Sequence, residues 1–161
     1  MTDWTHPRIT NPACRLNRFN EIATEARAAF NRRKDTYPML VSAGTLAPGD
    51  ARDDLEAWRA IAKEWAFVTS GDGEMARRIT LPARILALDT AISRWFHMID
   101  QSGGPLDHEL EQCALLCAMR IWVEREADYY AGGNLIWSRG HMRGLIPIPP
   151  TPAHPKIRKA A

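Results

Sequence analysis

Apolar positions recur every three or four residues along most of this 161-residue chain, the period of amphipathic helices rather than of strands. Leu16, Phe19, Ile22, Ala23, Ala26 and Phe30 predict a first helix from Arg15 to about Lys34. Ala51, Leu55, Trp58, Ile61, Ala62, Trp65 and Val68 predict a second. Ile85, Leu88, Ile92, Trp95, Phe96 and Ile99 predict a third, with Thr80 placed to cap it and Pro82 at an early position. The fourth, Leu110 to Ala131, differs in kind. From Cys113 to Val123 it reads CALLCAMRIWV, in which Arg120 is the one charge. A helix apolar on nearly every side has no solvent face and must be wrapped by its neighbours. The expected fold class is all-α: an antiparallel bundle of about four long helices with the last helix buried.

Punctuation between these stretches sets the expected boundaries. Pro38 removes a donor and biases Tyr37 away from helical angles, so the Tyr37-Pro38 pair is expected to interrupt the first helix, with Gly44 ending a short turn after it. Arg32, Arg33 and Lys34 would then crowd the last turn, where the helix dipole favours cations. Ser102-Gly103-Gly104-Pro105 turns the chain between the third and fourth helices. Residues 1–14, with Pro7 and Pro12 and no apolar period, read as an extended arm of a bundle domain spanning 1–131. Residues 132–161 hold five of the eleven prolines and read as an extended, Pro-rich C-terminal tail.

The segment YPMLVSAGTLAPGDARDDLEAWRAIA, residues 37–62, resembles a stretch of small uncharacterised bacterial and bacteriophage proteins. In those, Tyr-Pro is followed by a Val, then a Gly, then a Leu that opens an acidic helix. The resemblance implies a helical hairpin and a phage or mobile-element origin, and it brings no catalytic residue. Ala47 stands where a Thr or Ser cap is expected, and Gly49-Asp50 replaces two acids.

Charge changes the picture once it is divided along the chain. Residues 1–36 carry seven basic against four acidic side chains, residues 37–131 nine against fifteen, and residues 132–161 five against none. A mildly acidic body thus precedes a wholly basic tail, although the net charge is only +2. Apolar and charged fractions of 45% and 25% are those of a globular protein, and no apolar run approaches the ~20 residues that span a bilayer. The N-terminal residues show no secretory pattern and the three cysteines suit a reducing compartment, so a cytoplasmic location without membrane contact is expected.

Candidate chemistry is sparse. Glu109, Cys113 and Cys117 share a helix face, but zinc wants a fourth ligand, and packed thiols are the plainer reading. His108-Glu109-Leu110-Glu111-Gln112 has the zinc-protease spacing with its second histidine missing. His97 and Asp100 lie three apart without a nucleophile in reach, and Ser70 to Glu74 lacks the Lys of a phosphate loop. No catalytic residue, metal or cofactor is therefore assigned. Arg120 interrupts an apolar run and needs a carboxylate, for which Glu124 one turn on is the nearest choice; otherwise Arg120, with Trp122, marks a place for an anion or an interface. In the tail, Trp137, Arg139, His141, Arg143, Lys156, Arg158 and Lys159 have the cations and aromatic ring that single-stranded nucleic acid recruits. The leading functional expectation is a non-enzymatic helical interaction or assembly protein, self-associating through its wide apolar faces. The alternative is a nucleic-acid-binding accessory protein that uses the basic tail.

Overall fold

The computed structural model describes residue 9 and residues 15–70 and 79–130, with side chains through residue 124. Four helices fill nearly all of it: α1 Phe19–Ser42, α2 Pro48–Ser70, α3 Leu81–Gln101 and α4 Asp107–Tyr130. The helix backbones approach closely α1 to α2, α2 to α3, α3 to α4 and α4 to α1, and neither diagonal pair comes as near. That is the square of an antiparallel four-helix bundle, as the periodicity predicts. The α1–α2 contact is the most extensive and the α2–α3 contact the least. No described helix is long and apolar enough to cross a membrane.

Local signals account for most helix ends. Thr80 Oγ1 accepts from the Ala83 N–H at 3.3 Å, so the predicted cap opens α3 with proline in its first turn. Pro48 begins α2, where its missing N–H costs nothing. At the start of α4, Glu109 reaches back to accept from the Leu106 N–H at 2.9 Å, one half of a capping box. Gly44 sits at φ +71°, the left-handed conformation that closes a helix, and Thr45 N–H bonds back to the Leu40 carbonyl.

Both expected ends of the first helix differ: it begins at Phe19 rather than Arg15, and its far end lies beyond Lys34. α1 does not break at Tyr37-Pro38 but continues to Ser42 with Pro38 inside it. Proline removes a single hydrogen bond this close to the helix end, and Tyr37 is held by tertiary contacts: its ring is buried and its hydroxyl donates to Asp54 of α2. Arg32, Arg33 and Lys34 consequently lie within α1 rather than in its last turn, and the dipole explanation for them falls.

The core runs along the axis of the square. Trp58, Trp65, Ile22, Ile61, Leu88, Ile92, Ile99, Leu116 and Met119 are its largest fully buried side chains, and Trp95 is only half-buried. On α4, Cys113 to Arg120 are eight consecutive buried residues, more than two turns without a side open to water. Part of that enclosure comes from the segment before α1. Ile9 and Leu16 belong to the same core, the Trp122 Nε1–H donates to the Leu16 carbonyl at 2.8 Å, and the Phe19 ring lies 6.2 Å from that of Trp122. Arg15 clamps Glu111 with one edge of its guanidinium, Nε at 2.9 Å and Nη2 at 2.7 Å.

Two outcomes test this packing. Leu116→Ala should lower the urea-unfolding free energy by about 2–5 kcal/mol, whereas Leu86→Ala, on the exposed side of α3, should change it by about 0.5 kcal/mol or less. The Arg15 clamp holds the Glu111 carboxyl below its ordinary value of 4.5. As pH falls, the unfolded chain therefore takes up the proton first, and the clamp's stabilisation is complete above 4.5 and lost as pH drops through the lower folded value. Glu111→Gln should flatten that acid limb in urea midpoints measured from about pH 6 to about pH 3.

Candidate functional site

The sequence-derived candidates on α4 turn inward. Arg120 is buried and its Nε donates to Asp89 Oδ1 of α3 at 2.6 Å. Glu124, the carboxylate that helix spacing points to, stands one turn on and is half-buried, but this close ion pair comes from a different helix. Arg120 thus acts as a cross-link between α3 and α4. Trp122 is engaged with Leu16 and Phe19 in binding the N-terminal segment to α4. Trp137, Arg139, His141, Arg143, Lys156, Arg158 and Lys159 lie outside the described residues.

Cys113 and Cys117 are free, buried thiols. The Cys113 thiol is pushed up, first by its hydrogen bond with Cys117 and then by burial, so it is a poor source of thiolate. Among the described residues no three His, Cys, Asp or Glu side chains gather as metal ligands. His97 is exposed near the end of α3 and His108 at the start of α4, while Glu109 is committed to the α4 cap.

Three arrangements were not read from the sequence. The first is an ion pair inside the bundle, Arg84 Nη1 of α3 to Glu64 Oε1 of α2, both side chains almost wholly buried. Desolvation pushes the Glu64 carboxyl up against the lowering influence of Arg84, and Glu64 Oε2 and Arg84 Nε have no hydrogen-bond partner among the described residues. The signal was present: Glu64 stands three residues after Ile61 and four before Val68, squarely in the apolar stripe of α2.

The second is a lock at the α1–α2 turn. Arg33 of α1 donates from Nε to Asp54 Oδ2 at 3.0 Å and from Nη1 to the Ala29 carbonyl at 3.0 Å, while its guanidinium lies 4.1 Å from the centre of the Trp58 ring. Tyr37 donates to the same Asp54 oxygen, and burial followed by that hydrogen bond pushes its phenol up.

The third is a groove of about 430 Å³ on the outer face of the same two helices. Its floor is Ala23 and Phe30 of α1 with Ala62 and Ala66 of α2. Arg27 of α1 and Arg59 and Lys63 of α2 stand on its rim, all exposed, and none makes an ion pair or hydrogen bond among the described residues. Arg15, Arg32, Arg33, Arg84 and Arg120, by contrast, each hold a carboxylate. The groove runs on through Asn20 and Thr69 into a second hollow beside Phe19 and Val68. Three unpaired cations around an apolar floor form the one arrangement among these three that faces outward.

The buried pair carries its own test. Glu64→Leu, which strands the Arg84 charge, should cost about 3–5 kcal/mol in urea unfolding, and the double variant Glu64→Leu/Arg84→Met should recover most of that loss. Comparison of the chain with protein-family models, with curated proteins and with solved structures returned no match, so the functional reading rests on these residues alone.

Proposed function

We propose that this is a non-enzymatic interaction protein that works by docking a partner polypeptide on its α1–α2 face. The observation that carries the reading is the pairing of an apolar floor with rim cations that no described residue of the chain answers. Ala23, Ala62 and Ala66 are small enough to let another backbone come close, and Phe30 supplies a larger apolar contact between them. An arginine–tyrosine–aspartate lock directly beyond the groove fixes the two helices relative to each other, so the surface is formed before anything binds.

Self-association belongs to the same proposal but has less surface to use. The apolar stripes that favour it are largely turned into one subunit's core, leaving Met39, Leu40, Leu86, Met98 and Leu106 as the exposed large apolar side chains among the described residues.

A photo-crosslinking residue placed at Ala66, and at the exposed Ser93 of α3 as control, tests the reading in cells that make the protein. Position 66 should give a covalent adduct with one defined polypeptide, identified by mass spectrometry, that is lost when Arg59→Glu and Lys63→Glu are added. Position 93 should give none. The absence of any protein adduct at position 66, with a monomer at every concentration in light scattering, would overturn the proposal.

A further inference from the structure

Resting on the reading above, we infer that the partner segment is an amphipathic helix with an apolar stripe and acidic flanks, supplied by another protein. Length, floor and charge each point to it. Along α2 the groove extends from Arg59 to Thr69, about 15 Å at 1.5 Å per residue, so it matches roughly three turns of a helix laid beside it. Alanines on both walls allow the interaxial approach of about 8 Å that small side chains permit, and Phe30 fills the space between turns. Arg59 and Lys63 are one turn apart on one wall and Arg27 stands on the other, so cations border both sides of the seat. A helix whose apolar stripe enters the groove would place acidic residues on either side of that stripe against those cations.

The other occupants fit less well. The chain's own residues 132–161 carry five basic and no acidic side chains, the wrong sign for this rim. A second copy would have to offer a helical apolar stripe, but the stripes of α1 to α4 are already buried in its own core. Nucleic acid would set phosphates against the cations and leave the alanine floor uncovered, since Phe30, the one aromatic among the described residues beside those alanines, is itself half-buried. An acyl chain would lie in a trough open along one side, with much of its surface still in water.

The experiment uses the full chain and three designed, fluorescein-labelled helical peptides of about four turns. They share one alanine and leucine stripe and differ in flanks of Glu, Gln or Lys. Fluorescence anisotropy should show the Glu-flanked peptide binding about tenfold tighter than the Gln-flanked one, the expected sum of three solvent-exposed charge pairs, with the advantage fading as salt rises. Arg27→Glu/Arg59→Glu/Lys63→Glu should reverse the order so that the Lys-flanked peptide binds best, an outcome that an unfolded variant could not give. Equal affinity for Glu and Gln flanks, an unchanged order in the triple variant, or displacement of the peptide by a poly(dT) oligonucleotide or phosphatidylglycerol vesicles at similar concentration would each overturn the inference. A specific polypeptide adduct at position 66 combined with any of these would reject only the acidic-helix partner. Absence of any adduct at position 66 in the chain with its rim cations intact removes the docking face itself.

Discussion

A helix with no side open to water dictates much of this structure. In a square of four helices each member normally keeps an outer face, but Cys113 to Arg120 of α4 are buried in unbroken succession. Ile9 and Leu16 therefore join the core as additional walls, and two polar contacts secure them: the Trp122 indole on the Leu16 carbonyl and the Arg15 clamp on Glu111. The same enclosure explains Arg120. A guanidinium in that stretch must be met by a carboxylate or lose several kcal/mol, and the nearest wall able to supply one is α3, through Asp89.

Charge inside the bundle also bears on which helices pair. The α2–α3 contact is the least extensive of the four, yet it contains the most deeply buried ion pair, Glu64 with Arg84. Such a pair adds little net stability, because desolvating both groups offsets most of their attraction. Its effect is on alternatives: any slip of α3 along α2 would bury two uncompensated charges in an apolar seam. The Arg33–Asp54–Tyr37 lock at the α1–α2 turn acts alongside an interface that packing already favours, and there it also holds α1 helical through Pro38.

How much of this the sequence revealed depends on how far apart the interacting residues are. Features written within one or two turns were legible: the apolar stripes of α2 and α3, the Thr80 cap with Pro82, Gly44 as a terminator and the all-round apolar character of α4. The error at Pro38 came from weighing a local preference without Tyr37's tertiary contacts. Asp89 as partner of Arg120 was out of reach, since helical spacing on α4 can nominate only residues of α4. Glu64 could have been flagged from its place among Ile61, Trp65 and Val68, but its partner on α3 could not. The groove was the least legible feature: on each helix separately Arg27, Arg59 and Lys63 look like an ordinary solvated face and Ala23, Phe30 and Ala62 like part of the core stripe, and only the antiparallel register of α1 on α2 brings them together.

That register gives the two hairpins opposite outward characters. The α3–α4 half ties the guanidinium that interrupts its apolar run to its own carboxylate, Arg120 to Asp89, and draws the N-terminal segment over α4. The α1–α2 half commits Arg33 and Arg32 to carboxylates on its own helices yet, among the described residues, leaves Arg27, Arg59 and Lys63 unanswered over a floor of alanines and Phe30. Solubility alone would be served by charges anywhere on the surface, and an isolated cation on a helix needs no explanation. Three of them bordering both sides of one apolar trough, on a hairpin held rigid by its own ion pairs, produce a field and a shape that agree. An acidic helix is the ligand that satisfies both together, whereas a bare anion uses only the rim and a bare apolar helix only the floor.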